Sequence, residues 1–213
     1  MITDNNTGYI YIVLVKALTG LGKLVRSFGG YEYTHIAVCM DEKLEDFITF
    51  SRKKHYAPFD SGFMHETMDC YAFGDNSEVK LKVFRVPVSD SAKGEIAEYI
   101  RQTQEDEEYV FNILSMVTMP LLHGFLIYKA HNCMSFTARI IEMTGSVKME
   151  RPYYKYSIKA MDELLTDYLY NEGYYRKTKT EKPDYMDRVG IVHNAGAFFK
   201  VVGTLIGRII RRV

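Results

Sequence analysis

The period of hydrophobic positions changes several times along the chain, and each change marks an element. Tyr9 to Val15 is an unbroken apolar run of β-branched and aromatic residues, which predicts a strand buried on both faces. Between residues 16 and 28 the period lengthens, with Leu18, Leu21, Leu24, Val25 and Phe28 forming a helical stripe that Gly29 and Gly30 end. Tyr33 to Met40 predicts a second strand, in which Tyr33, His35, Ala37 and Cys39 share one face and Ile36, Val38 and Met40 the other. The Ile36 face reads as core. The opposite face is mixed and sets His35 at the edge of something polar. Asp41-Glu42-Lys43 reads as a turn and Asp46 to Ser51 as the returning strand of a hairpin, which puts Thr49 or Ser51 across from His35.

Arg52 to Ser77 reads as a long loop carrying His55, His65, Glu66 and Cys70, and loops of this length in compact domains are often functional. Val79 to Val88 predicts a strand, with Pro87 at its end or on an edge. Asp90 to Asp106 predicts a surface helix with Ile96, Tyr99 and Ile100 inward. The apolar segment Phe111 to Tyr128 is interrupted by Asn112, Ser115, Thr118, Pro120, His123 and Gly124, which argues against a membrane span and for core plus one wall of a cleft. Ala130 to Gly145 predicts a polar turn that opens an amphipathic helix: Asn132 is a favoured N-cap, Phe136, Ile140 and Met143 recur at helical spacing, and Gly145 is a stop.

Ile158 to Tyr170 predicts one more helix, with Met161, Leu164, Leu165, Tyr168 and Leu169 inward. The organisation that follows is one domain over residues 1–175, a polar linker over 176–190 containing Pro183, and an amphipathic helix over 191–213. In that last helix Phe198, Val201, Val202, Leu205, Ile209 and Val213 are among the apolar positions, while Lys200, Arg208, Arg211 and Arg212 lie elsewhere.

Charge and cysteine content narrow the function classes. With 27 basic and 27 acidic residues the chain is formally neutral, so no global field recruits nucleic acid. Cys39, Cys70 and Cys133 are three in number and form no CxxC pair, which argues against a disulfide framework or a cysteine zinc site and for a reducing, cytoplasmic setting. The opening residues lack the basic start, followed by an uninterrupted apolar region and a small-residue cleavage site, that a secretory signal needs. Gly20-Leu21-Gly22-Lys23 lacks the spacing of a phosphate loop, and a site built from His123, His131 and Cys133 matches no standard zinc pattern. No cofactor is expected.

The candidate chemistry is that of a thiol nucleophile. Cys133 falls at a helix start, where the macrodipole favours a thiolate and unpaired backbone N–H groups can receive an oxyanion. His35 on a strand face supplies an imidazole to take the thiol proton, and a separation of 98 residues is no obstacle to such a pair.

The stretches YTHIAVCMDEKLEDFITFSRK (Tyr33 to Lys53) and HNCMSFTARIIE (His131 to Glu142) resemble the circularly permuted branch of the NlpC-type papain-like superfamily. In that branch the histidine hairpin precedes the cysteine helix. Relatives include lecithin retinol acyltransferase-like enzymes and a group of bacterial permuted thiol hydrolases. Pro58 to Glu66 is similar to the latter group's loop after the hairpin, and Ser157 to Gly173 to its closing helix and turn. The resemblance covers residues 9–175 and implies an α+β, papain-like fold whose central antiparallel sheet packs against the nucleophile helix.

By position it implies Cys133 as nucleophile and His35 as base and later acid, with the third polar residue near 47–51. Thr49 is the first choice there and Ser51 the second, where the family usually has His, Asn, Asp, Glu or Gln. Met134 and Ser135 likewise replace the Ser-Gln-like pair common after the nucleophile. Tyr33, Ser51, Asn132 and Glu66 are candidate substrate contacts.

The expected activity is that of a cysteine-nucleophile hydrolase of amidase or peptidase type, acting on a peptide-like or acyl substrate through an acyl-enzyme. The alternatives are an acyltransferase on lipid-like substrates, or a papain-like binding domain without catalysis. The C-terminal helix is expected either to dock on its own domain or to make a peripheral contact with a membrane or a partner through residues 196–213.

Overall fold

The computed structural model describes residues 7–18, 30–73, 76–177, 182 and 184–211. Beyond Leu18, the helix expected over 16–28 and the glycine-lysine stretch inside it lie outside the described residues. The strands are β1 (Thr7–Val15), β2 (His35–Cys39), β3 (Phe47–Arg52), β4 (Ser61–Glu66), β5 (Glu78–Ser89), β6 (Val110–Phe111), β7 (Ala130–His131) and β8 (Leu169–Arg176). The helices are α1 (Asp90–Glu105), α2 (Ile113–Leu122), α3 (Cys133–Thr144), α4 (Ile158–Leu164) and α5 (Ile191–Ile210). The architecture is α+β.

Six strands form one antiparallel sheet in the order β4-β3-β2-β1-β5-β8. β1 is central because Ile10 to Val15 have no polar side chain to turn toward water, apart from the Tyr11 hydroxyl, and all six are buried. It sets Val15 opposite His35 on β2 and Val15 opposite Leu81 on β5. β8 leaves β5 after Phe84, at a register shift, so Pro87 stands where the outer edge of β5 has no strand partner and its missing N–H breaks no ladder bond.

Both faces of the sheet are covered. On one, Ile12, Leu14, Ile36, Val38, Phe50 and Phe84 pack with Ile96 of α1 and Phe136 and Ile140 of α3. On the other, Val13, Ala37, Cys39, Phe47 and Leu81 pack with Met68, Cys70, Tyr71 and Tyr185. The Cys39 side of β2 is therefore a second core rather than a mixed face.

Two stretches expected as loop or helix are strands. Residues 61–66, inside the expected loop, form β4, and residues 169–176, expected as helix end and linker, form β8. In each case tertiary pairing decides, since β3 and β5 would otherwise expose a full row of unpaired backbone groups. α4 stops at Leu164, and a 3-10 turn over Thr166–Tyr168 leads into β8.

β6 and β7 form a short parallel pair that brackets α2. Asn112 joins them: its N–H donates to the His131 carbonyl (2.8 Å), and its side chain caps α2 by accepting the Ser115 N–H (3.0 Å). The helix includes Pro120 and ends at His123, which adopts the left-handed conformation (φ 52°). Met116, Val117, Leu121 and Leu122 are exposed, so this segment, expected as core, is core on one side only. α5 lies against it. Leu205 is buried with Ile127 and Ala130, Phe198 meets Phe59 edge-on (4.9 Å), and the Arg208 guanidinium donates to the carbonyls of Glu108, Tyr128 and Lys129. Among the described residues no helix is long and apolar enough to cross a membrane.

Candidate active site

α3 begins as its sequence dictates. Asn132 is extended (φ −107°), its side chain accepts the Ser135 N–H (2.8 Å), and the Ser135 hydroxyl accepts the Asn132 N–H (3.0 Å), a reciprocal capping box. This accounts for Ser135 where the family pattern has another residue. It engages the side-chain oxygen of Asn132, a buried residue that holds the helix start. The helix ends at Gly145, whose left-handed φ of 66° favours a residue without a Cβ.

Cys133 is the first helical residue. The Phe136 N–H goes to the Asn132 carbonyl, while the N–H groups of Cys133 and Met134 have no protein acceptor among the described residues. Of the three thiols it is the one that is partly exposed; Cys39 and Cys70 are buried. Burial pushes the Cys70 thiol up to about 12 and Cys39 well above the ordinary thiol range, which makes both inert.

His35 opens β2, so its ring lies at the margin of the sheet, where α3 begins. Nε2 lies 2.8 Å from Glu66 Oε2, and the ring is near enough to Cys133 for the sulfur to add to its upward shift. With Nε2 engaged by the carboxylate, Nδ1 is the nitrogen left for sulfur. Burial alone would lower the imidazole pKa. The Glu66 charge, and then the Cys133 sulfur and the hydrogen bond to Glu66, outweigh burial and hold the ring at about 10.

Glu66 ends β4 and is 3% exposed. Besides His35 it accepts hydrogen bonds from the Ser51 hydroxyl (2.5 Å) and the Tyr71 hydroxyl (2.7 Å). Burial opposes its ionisation, but the His35 charge and these three donors overcome that and keep the carboxyl below its usual range. The two partners shift in opposite directions, His35 up and Glu66 down, as an ion pair requires.

The third group expected on the returning strand is elsewhere. Thr49 is fully buried and its hydroxyl donates to the Ile36 carbonyl (2.9 Å), so it is spent on the β2–β3 pairing and does not touch the imidazole. Ser51 reaches Glu66 rather than His35. Glu66, expected as a substrate contact, is the group that holds the ring. It was hidden because it comes from β4, one strand beyond the hairpin. The available signal was the alternation of Gly62, Met64 and Glu66 on one side of a short strand, closing on a carboxylate. Tyr33 is not at the thiol site either: its hydroxyl donates to Glu172 (2.8 Å), and its ring joins the α3-side core.

A second buried imidazole lies two residues before the nucleophile. His131 contacts the Tyr99 hydroxyl (3.0 Å) and Ser135 Oγ (3.3 Å), and it stacks on Tyr109 at an interplanar angle of 10°. Among the described residues no carboxylate meets it. Burial, then Arg139, push it down to about 4. Its place behind the capping box makes it a structural support for the start of α3. Among the described residues no group of His, Cys, Asp and Glu is arranged to hold a metal ion, and His123, His131 and Cys133 form no such group.

No family model, curated protein or solved structure matches the chain.

Proposed function

We propose that the protein is a cysteine-nucleophile hydrolase of amidase or peptidase type on a permuted papain-like fold. The observation that carries this reading is the line from Cys133 through His35 to a buried Glu66 held by two further hydroxyls. A carboxylate that accepts three hydrogen bonds fixes the imidazole in orientation and in charge, and a cationic ring beside the sulfur supplies the counter-ion a thiolate needs. The order of histidine hairpin before cysteine helix, and the resemblance of both stretches to the permuted branch, support the same reading.

The chemistry follows from the positions. The Cys133 thiolate adds to a substrate carbonyl, and the oxyanion that forms meets the free N–H groups of Cys133 and Met134 at the positive end of α3. As the intermediate collapses, His35 gives its proton to the departing amine and the acyl group remains on sulfur as a thioester. Water then attacks that thioester with its proton passing to His35, which releases the carboxylic acid and restores the thiolate–imidazolium pair. Transfer to another acceptor uses the same thioester with the acceptor in place of water.

The test is to trap the thioester. Brief exposure to an activated acyl ester, acid quench and peptide mass spectrometry should find the acyl mass on the Cys133 peptide alone, decaying in water and absent from Cys133→Ala. Acylation spread over surface lysines with Cys133 unmodified would overturn the proposal.

A further inference from the structure

We infer that α2 and the outer face of α5 together form a surface that lies on an anionic lipid bilayer. α5 is apolar on two sides. Its inner side, with Phe198, Val201 and Leu205, is occupied by the protein's own core and is not available to a membrane. Its outer side carries Val192, Phe199, Ile206 and Ile210, one above the other at helical spacing, with Ala195, Gly196 and Gly203 between them. Phe199 is 72% exposed, and no charged side chain falls within this row. α2 adds a second exposed row, with Val117 and Leu121, the latter 82% exposed.

The two helices are in contact. Leu122 and Leu126 on one side and Ile209 on the other line a groove of about 320 Å³, with Arg208 beside it. An exposed apolar surface built from two helices exceeds the scattered single residues that ordinary surfaces carry.

Charge selects the occupant. The chain as a whole has 27 acidic and 27 basic residues, yet residues 188–213 contain Arg188, Lys200, Arg208, Arg211 and Arg212 and not one Asp or Glu. Residues 109–141, which include α2, also contain no acidic residue. A second copy of this face would bring like charges together, whereas an anionic headgroup layer complements them and accepts the aromatic and aliphatic row below it. A helix that fails as a membrane span but combines an apolar row with basic flanks lies in the interface plane. The inference does not depend on the chemistry of Cys133.

Flotation of the full chain decides it, with vesicles of equal parts phosphatidylglycerol and phosphatidylcholine compared with phosphatidylcholine alone. The expected result is flotation with the anionic vesicles, weakened by high salt, and a drop in partitioning of about tenfold for each of Leu121→Asp and Phe199→Asp. Both positions are exposed, and circular dichroism confirms that the variants fold. Absence of flotation, equal flotation of the variants, or equal flotation on neutral vesicles would each overturn the inference. So would a dimer in sedimentation that the same substitutions dissolve while the wild type ignores vesicles, since the face would then be an interface between copies.

Discussion

His35 and His131 both lie beside the first turn of α3, both are largely removed from water, and they end in opposite states. Side-chain exposure is 14% for His35, and His131 is a buried residue at 6%. Burial disfavours the charged form of each. At His131 nothing opposes it: the neighbours are Tyr99, Tyr109 and Ser135, and the ring stays neutral, pushed down to about 4. At His35 the Glu66 carboxylate reverses the outcome and holds the ring at about 10. What separates the neutral histidine from the charged one is thus one buried carboxylate, itself secured by Ser51 and Tyr71.

The largest effect expected on this contrast comes from the site itself. Cys133→Ala and His35→Ala should each lower hydrolysis of an activated ester by a thousandfold or more, on the order seen when members of such units are removed, while His131→Gln should cost far less at a temperature where it remains folded. Glu66→Gln comes next. It keeps the shape but removes the charge, so turnover should fall by about a hundredfold or more, and folding stability by about 3 kcal/mol through the loss of one partner of a buried pair.

The same pair sets an alkaline limit. Because the folded-state pKa of His35 is raised, its contribution to stability is fully present below its ordinary value of 6.5 and is lost as pH rises through about 10. Glu66 is shifted down, so its share is present above the ordinary carboxylate range and is lost in acid. Urea unfolding midpoints should therefore fall in wild type as pH rises from neutral toward 10, and much less in Glu66→Gln.

His131 acts in the other direction. A histidine whose folded pKa is depressed stabilises the protein when neutral, so stability should drop as pH falls from 6.5 through about 4. That drop should be about 3 kcal/mol and should be missing from His131→Phe, measured by the same unfolding series. The smallest effect distinguishes the two hydroxyls. Thr49→Val should leave turnover within about twofold, because its partner is a backbone carbonyl, whereas Ser51→Ala should reduce it several-fold through Glu66.

Much of this contrast could be read before any coordinates. The strand at Tyr9 to Val15, the hairpin from His35, the N-cap at Asn132 and the stop at Gly145 follow from local pattern and capping chemistry, and all four are present. The carboxylate could not be read in the same way. Glu66 is brought to His35 by the pairing of β4 on β3, and the strand carrying it looks locally like loop, since Gly, Asp and Ser surround it. β8 was hidden for a related reason: its Tyr-rich stretch reads as a helix end until β5 offers an open edge. Local rules find elements whose own residues bury themselves, and miss those that exist because a neighbour needs a partner.

The most direct test of the central claim, that Glu66 holds a charged His35 against Cys133, is the rate of Cys133 alkylation by iodoacetamide across a pH series in wild type and Glu66→Gln. In wild type, Cys133 should react rapidly while the buried Cys39 and Cys70 stay unlabelled, and in Glu66→Gln that reactivity should be lost. Slow labelling of all three thiols in wild type, or an unchanged profile in Glu66→Gln, would contradict it.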